Sequence, residues 1–332
     1  MDEALRSQAA RLLGQPPAAA EAVAGGGNSR LFRLEDRAGQ AYALKVYPSR
    51  QHDPRDRLGA EFTALSFLHR HGVREVPAAL ACDRDHGLAL YQWIEGARVA
   101  APTAADIDAA LAFARRLREL GPVGAELPPA SEACLSGGEI LAQLQRRIDR
   151  LATVPDLDTL LTDRLLPLRA RAAEAAQAGY RRLGRDFDAP LPPALRCLSP
   201  SDFGFHNTLR RDDGSLVFLD FEYFGWDDPV KLTADFIQHP GMALDAALAD
   251  RFVAGACALY GAEADFAARL GLLAPLIGLR WALILLNEFL PERWSARPFA
   301  GCTDRAAVLD RQRGKAMRQL DRVEAWLRER RP

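Results

Sequence analysis

Near residue 95 the sequence changes its periodicity, and that change limits the fold more than any other feature. Upstream, short β-like runs at 31–34, 42–47 and 88–94 alternate with turn residues. Between the last two, residues 57–71 carry Leu58, Phe62, Leu65 and Leu68 at helical spacing, with Gly72 as a stop. Downstream of Gly96 helical periodicity dominates, over 104–120, 138–150, 160–183, 242–260, 263–290 in pieces and 306–330. The last of these sets Met317, Leu320, Val323 and Leu327 on one stripe. The expectation is an α+β chain, with a small, mostly antiparallel sheet and one helix in residues 1–94 and a larger helical region in 95–332. With 332 residues, 48% of them hydrophobic, the chain can fill two domains or one bilobed unit.

Forty-three basic and 44 acidic side chains leave a net charge of −1. That balance provides no global field for holding nucleic acid, and a local run such as Arg169-Ala170-Arg171 reads as a solvated helix face. Five cysteines without a CxxC pair leave one thiol over in any full disulfide scheme, which points to a reducing, cytoplasmic compartment. The opening MDEALRSQAARLLG contains acids and no apolar core, unlike a signal peptide. Residues 271–290 contain Pro275 and Arg280 and finish in Asn287-Glu288-Phe289. The uncharged run is too short to span a bilayer, so a buried core helix and no membrane insertion are expected.

Chemistry concentrates in 199–229, SPSDFGFHNTLRRDDGSLVFLDFEYFGWDDP. Asp212-Asp213-Gly214 is a strong turn signal, and the apolar run 216–219 should return beside Asn207 and end at Asp220. An amide carbonyl and a carboxylate at one open end of paired strands suit Mg2+, which takes few protein oxygens and keeps water and phosphate as its other ligands. Asp202 sits in the Pro/Ser/Gly-rich loop just before, where a base could face a substrate without ligating metal.

A second feature lies at Ala24-Gly25-Gly26-Gly27-Asn28-Ser29-Arg30. Successive glycines let backbone N–H groups approach phosphate oxygens, although an ordinary turn needs no more than this. The run is neither a Walker A motif nor a dinucleotide fingerprint. Folding the strand that follows it back through 35–40 returns Lys45 beside its start, with Leu44 and Val46 directed into the small core by alternation. A strand lysine on a solvent face is the alternative. Glu61, early on the next helix, is placed to pair with that lysine.

In this order GGGNSRLFRL, ALKVY, Glu61, ALYQWIEG, SDFGFHN and LDFEYFGWDDP resemble the kinase-like phosphotransferase superfamily, in its aminoglycoside phosphotransferase and choline kinase branch. The resemblance covers nearly the whole chain. It implies a bilobed protein-kinase-like fold, with an ATP-binding lobe in 1–94 and a helical lobe in 95–332 bearing the catalytic and acceptor sites. By the same resemblance Gly25, Gly26, Gly27, Asn28 and Ser29 cover ATP, Lys45 contacts its phosphates beside Glu61, and Tyr91, Gln92, Trp93 and Ile94 form the adenine-side hinge. Asn207 and Asp220 hold Mg2+, and Asp202 is the base toward a small-molecule hydroxyl. Sugars, amino alcohols, nucleoside-like compounds and antibiotics all satisfy such an acceptor.

The chain departs from the family pattern in two places. Pro200-Ser201 stands where His-Gly commonly precedes the catalytic Asp, and Leu232 stands where an acid is common. A catalytically weak or inactive nucleotide-binding regulatory or scaffold protein is therefore the alternative. His206 reads as a structural hydrogen bonder, a contact near the phosphate or acceptor, or an exposed side chain, and Asp228 and Asp235 as structural acids or caps. Arg280 reads as a helix-anchoring ion pair or a contact to an anionic acceptor, whereas Glu222, Asp227 and Glu288 could serve a cationic one.

Overall fold

A computed structural model describes residues 1–23, 29–48, 55–242, 244–261, 265–295 and 304–329, without the side chains of Trp294 and Ser295. The chain forms two compact units, neither continuous in sequence. The first comprises Met1–Pro102, Ala112–Glu132 and Leu198–Trp226; the second comprises Thr103–Leu111, Ala133–Cys197 and Asp227–Pro332. The composition shift near residue 95 therefore falls close to the first break in this division, while the segment around Asp202 and Asp220 folds with the N-terminal strands.

In the first unit, helix α1 (Glu3–Leu13) is capped by Asp2, whose side chain accepts from Leu5 N at 2.8 Å, and ends at Gly14 with φ 76°. Strands β1 (Ala19–Val23), β2 (Arg30–Glu35) and β3 (Ala41–Val46) follow, then helix α2 (Arg57–Arg70) and strands β4 (Ala79–Asp83) and β5 (Leu88–Gln92). The five strands form one antiparallel sheet in the order β1-β2-β3-β5-β4. Alternation on β3 divides its side chains as the sequence indicates. Leu44 and Val46 join Leu5, Ala9, Phe32, Leu34, Leu88 and Leu90 in the core beneath α1. Lys45 and Tyr47 take the opposite face and meet Glu61 of α2.

Three elements here lie outside the sequence expectations. α1 carries Leu5, Ala9, Leu12 and Leu13 at helical spacing, β1 is alanine-rich, and β4 is an edge strand with partly exposed residues. The expected hairpin is present: Thr208–Arg210 pairs with Leu216–Phe218, and strand β6 (Ala97–Arg98) adds to its outer side. Arg211 N donates to Ser215 O at 2.9 Å, and Gly214 takes φ 84°, the left-handed shape the turn requires. Phe113 stacks on Phe218 with centroids 4.5 Å apart and lies 5.8 Å from Phe203, so buried aromatics pin the 199–205 loop to the hairpin.

The second unit is helical. Its central helix, Phe266–Leu286, is long and apolar enough to cross a membrane, yet most of it is buried among its neighbours. Pro275 removes the hydrogen bond that would reach the Gly271 carbonyl, and that carbonyl accepts instead from Trp326 Nε1 at 3.2 Å. Trp326 belongs to the last helix, Arg305–Glu329, which buries Ala316, Gln319, Leu320 and Val323, leaving Met317 and Leu327 at the edges of the stripe. The helix expected from 242 begins at Ala246, because Asp245 caps it by accepting from Leu248 N at 2.8 Å. An unanticipated helix, Pro229–Gln238, starts from an Asp228 cap with proline in its first turn.

That helix carries a buried charge network. Lys231 Nζ lies 2.9 Å from Asp227 and 2.8 Å from Asp235. Asp235 also accepts from Trp281 Nε1 at 2.8 Å and faces Arg280 at 3.4 Å, while Arg280 Nε donates to Gln143 at 2.9 Å. Arg280 is thus a helix anchor, and Asp227 and Asp235 are structural acids. Burial would lower the Lys231 pKa, but the two carboxylates more than reverse it. Asp228, besides capping, pairs with buried Arg269, and burial lifts its pKa to about 6. Removing one partner from a buried ion network costs on the order of 3–5 kcal/mol. Lys231→Met should therefore lose about that much stability in urea-induced unfolding.

Candidate active site

The hairpin sets the first half of the site. Its register pairs Thr208 with Phe218, and one step further Leu219 N donates to Asn207 O at 2.8 Å. Asn207 and Asp220 therefore leave the same end of the paired strands. Asp220 has φ 66° and Ser201 has φ 67°, left-handed conformations that cost a residue with a Cβ about 1 kcal/mol each. Such strain clusters where a structure needs a side chain aimed in one direction. In the loop, Ser199 Oγ accepts from Ser201 N at 3.0 Å, which helps hold that shape.

Asp202 follows the strained serine. One of its oxygens lies 3.0 Å from His206 Nε2; the other accepts from Asn207 Nδ2 at 3.2 Å, and the same amide donates to the Asp202 carbonyl at 3.1 Å. Using its NH2 in this way leaves Asn207 Oδ1 as the oxygen available to a ligand. The short 3-10 turn Phe205–Asn207 brings His206 back over Asp202 four residues earlier. Of the three readings open to His206 in sequence, hydrogen bonding within the loop is present here, and the side chain is half-buried rather than exposed.

The second half gathers around Lys45. Its Nζ lies 2.7 Å from Glu61, 2.9 Å from Asp220 and 2.9 Å from Glu222. Burial alone would lower its pKa, but these three carboxylates raise it well above the usual lysine value, so the ammonium stays charged. Burial, reinforced by Asp220 and Glu222, raises Glu61, with Lys45 opposing. Asp220 is raised by burial and by its carboxylate neighbours, again against Lys45. Glu222 is lowered, because Lys45 and Arg57 outweigh its burial. Glu61 is further fixed by Tyr47 Oη at 2.5 Å and by Phe221 N at 3.2 Å.

The other expected residues divide. Gly25, Gly26, Gly27 and Asn28 lie outside the described residues. Ser29 is described, and its hydroxyl donates to Glu222 at 2.8 Å. Tyr91 is buried, its hydroxyl 2.7 Å from that of Tyr47, so its side chain belongs to the core behind Glu61. Gln92 ends β5 opposite Tyr42, Trp93 donates to Glu95 at 2.8 Å under the Arg33 guanidinium, and Ile94 is buried. Two residues of the cluster, Glu222 and Arg57, carry no individual sequence signal for it. Glu222 is 2% exposed and pairs with Arg57 at the start of α2, and it lies in the turn beyond the strand that ends at Phe218.

The sequence profile of the phosphotransferase enzyme family matches residues 19–272, well over half of the chain. The chain belongs to the phosphotransferase enzyme family. No curated protein matches it at the level of sequence. Solved structures of this phosphotransferase fold align along nearly the whole length. The gentamicin complex of the aminoglycoside phosphotransferase APH(2")-IIa is 15% identical, with a TM-score of 0.60 and 98% of each chain covered. Spectinomycin phosphotransferase APH(9)-Ia, bound to ADP and spectinomycin, is 13% identical with a TM-score of 0.61, covering 96% of this chain and 98% of its own. The choline kinase LicA from Streptococcus pneumoniae is 14% identical with a TM-score of 0.59 and the same coverage. These likenesses establish the bilobed kinase-like α+β fold.

Within this phosphotransferase, Ser201 occupies a left-handed position where the family commonly has glycine. Glycine adopts that conformation without a Cβ penalty. Ser201→Gly should therefore keep or raise stability, by up to about 1 kcal/mol, and Ser201→Val should lower it; thermal unfolding of the two variants checks both signs.

Proposed function

We propose that this phosphotransferase moves the γ-phosphoryl group of ATP, with Mg2+, to a hydroxyl of a small molecule. The observation that carries the reading is the convergence of Lys45, Glu61 and Asp220, with Asn207 leaving the same hairpin end as Asp220 and bonded to Asp202. Lys45 would meet the phosphates, held by Glu61, and Ser29 with the glycines before it would cover them. Residues 91–94 would form the adenine-side hinge, through backbone and Trp93 more than through the buried Tyr91. In this reading 1–94 is the ATP-binding lobe and 95–332 supplies the catalytic and acceptor residues.

The donor set fits Mg2+. Asn207 Oδ1 and the Asp220 carboxylate are hard oxygens. Two cations, Lys45 and Arg57, face three carboxylates, Glu61, Asp220 and Glu222, which leaves one negative charge beside Asp202. When bound, the ion would offset charge on the phosphate oxygens. Asp202 orients the acceptor hydroxyl and takes its proton as the oxygen forms its bond to the γ-phosphorus and the bond to the β–γ bridging oxygen breaks, releasing ADP, and His206 and Asn207 hold Asp202 for that task. The nucleotide reading is further supported by similar folds solved with nucleotide: the spectinomycin enzyme with ADP, and the amicoumacin kinase hAmiN, at 14% identity, with AMP-PNP and Ca2+.

Mass spectrometry of reactions with ATP, Mg2+ and panels of aminoglycosides, choline-like alcohols, sugars and nucleosides should reveal one class that gains phosphate. General-base removal typically costs about 10²–10⁴-fold in rate. Asp202→Asn should lose transfer by that factor while its affinity for ATP stays close to wild type. Equal turnover in the variant would remove Asp202 from the proposed role.

A further inference from the structure

Glu222 joins parts of the chain that no other described carboxylate joins in the same way. Its Oε1 accepts from the Ser29 hydroxyl at 2.8 Å and also lies 2.9 Å from Lys45 Nζ; its Oε2 pairs with Arg57. One buried carboxylate thus reaches the entry to β2, the middle of the sheet and the first turn of α2. The β2–β3 register sets Leu31 opposite Lys45, so Ser29 lies just beyond the paired end of the same two strands. Glu61 already neutralises Lys45 at 2.7 Å, so a further carboxylate at 2.9 Å is more than pairing requires. An anion so close competes with any phosphate for the ammonium, unless its own charge is partly taken up elsewhere. Arg57 and the Ser29 hydroxyl take it up.

We propose that Glu222 is a positioning residue for Lys45, and that the Ser29 hydroxyl tunes it by sharing the oxygen that faces the ammonium. The inference rests on the nucleotide-binding reading of the site. Losing the serine hydroxyl should free Oε1 to hold Lys45 more tightly and so weaken its contact with phosphate. A hydrogen bond to a charged group corresponds to roughly a tenfold change in affinity.

Titration of MgATP by calorimetry into the wild-type chain, Ser29→Ala, Ser29→Thr, Glu222→Ala and the Ser29→Ala/Glu222→Ala pair tests this. Ser29→Ala should bind about tenfold more weakly, and Ser29→Thr, which keeps the hydroxyl, should lose less affinity than Ser29→Ala. In the Glu222→Ala background Ser29→Ala should change nothing further, because the oxygen it tunes is gone. The same fold-loss in both backgrounds, or wild-type affinity in Ser29→Ala, overturns the proposal while leaving the nucleotide reading standing. Absence of MgATP binding by the wild-type chain overturns both. Should Glu222→Ala fail to fold, Glu222→Gln, which keeps the shape and removes the charge, takes its place in the cycle, and the same fold-loss from Ser29→Ala in that background overturns the proposal.

Discussion

A partly buried ammonium cannot be left without counter-charge, and the first unit is organised around meeting that demand for Lys45. The cost of withdrawing one charge from water is several kcal/mol unless partners compensate. Here the partners come from distant parts of the chain: Glu61 from α2, and Asp220 and Glu222 from the segment just after the hairpin. Displacing the ammonium would leave three carboxylates facing one another without it. The sheet, the helix and the hairpin are therefore tied to one point, and the Tyr47 hydroxyl and the Phe221 amide complete the coordination of Glu61.

Strain accompanies this organisation. Ser201 and Asp220 both adopt left-handed backbone, each at the edge of the hairpin segment, one immediately before Asp202 and the other carrying a partner of Lys45. Ser201 takes a backbone conformation that glycine adopts without a Cβ penalty, and the Ser199 hydroxyl supports it. His206, from the turn that follows, contacts Asp202.

Charge in the second unit serves a different end. Lys231, Asp227, Asp235 and Arg280 are all buried, and their partners lie within that unit. Leu232, at the position where an acid is common in the family, is buried too. The charge at this point of the chain sits one residue earlier, on Lys231, and cross-links the start of its own helix to the next turn. An ionic group in this sequence is thus a poor guide to function until its partners are known, as Arg280 illustrates.

Strong local signals were legible in the sequence. The 208–218 hairpin follows from an Asp-Asp-Gly turn between apolar runs, α2 from apolar spacing, and the facing of Lys45 away from Leu44 from strand alternation, because each is decided by neighbours a few residues apart. Elements that owe their existence to packing were not legible: β1 and β4 carry weak patterns and are stabilised by the sheet they join. The ordered motifs likewise identified the phosphotransferase family, and they named Asp202, Asn207 and Asp220 as candidates. That Asn207 and Asp202 are hydrogen-bonded, that Lys45 meets a third carboxylate in Glu222, and that Ser29 shares that carboxylate were decided by the tertiary structure alone. The physical reason is range: alternation and turn chemistry act along a strand, whereas the pairing of a lysine with an acid 177 residues away depends on how separate segments pack.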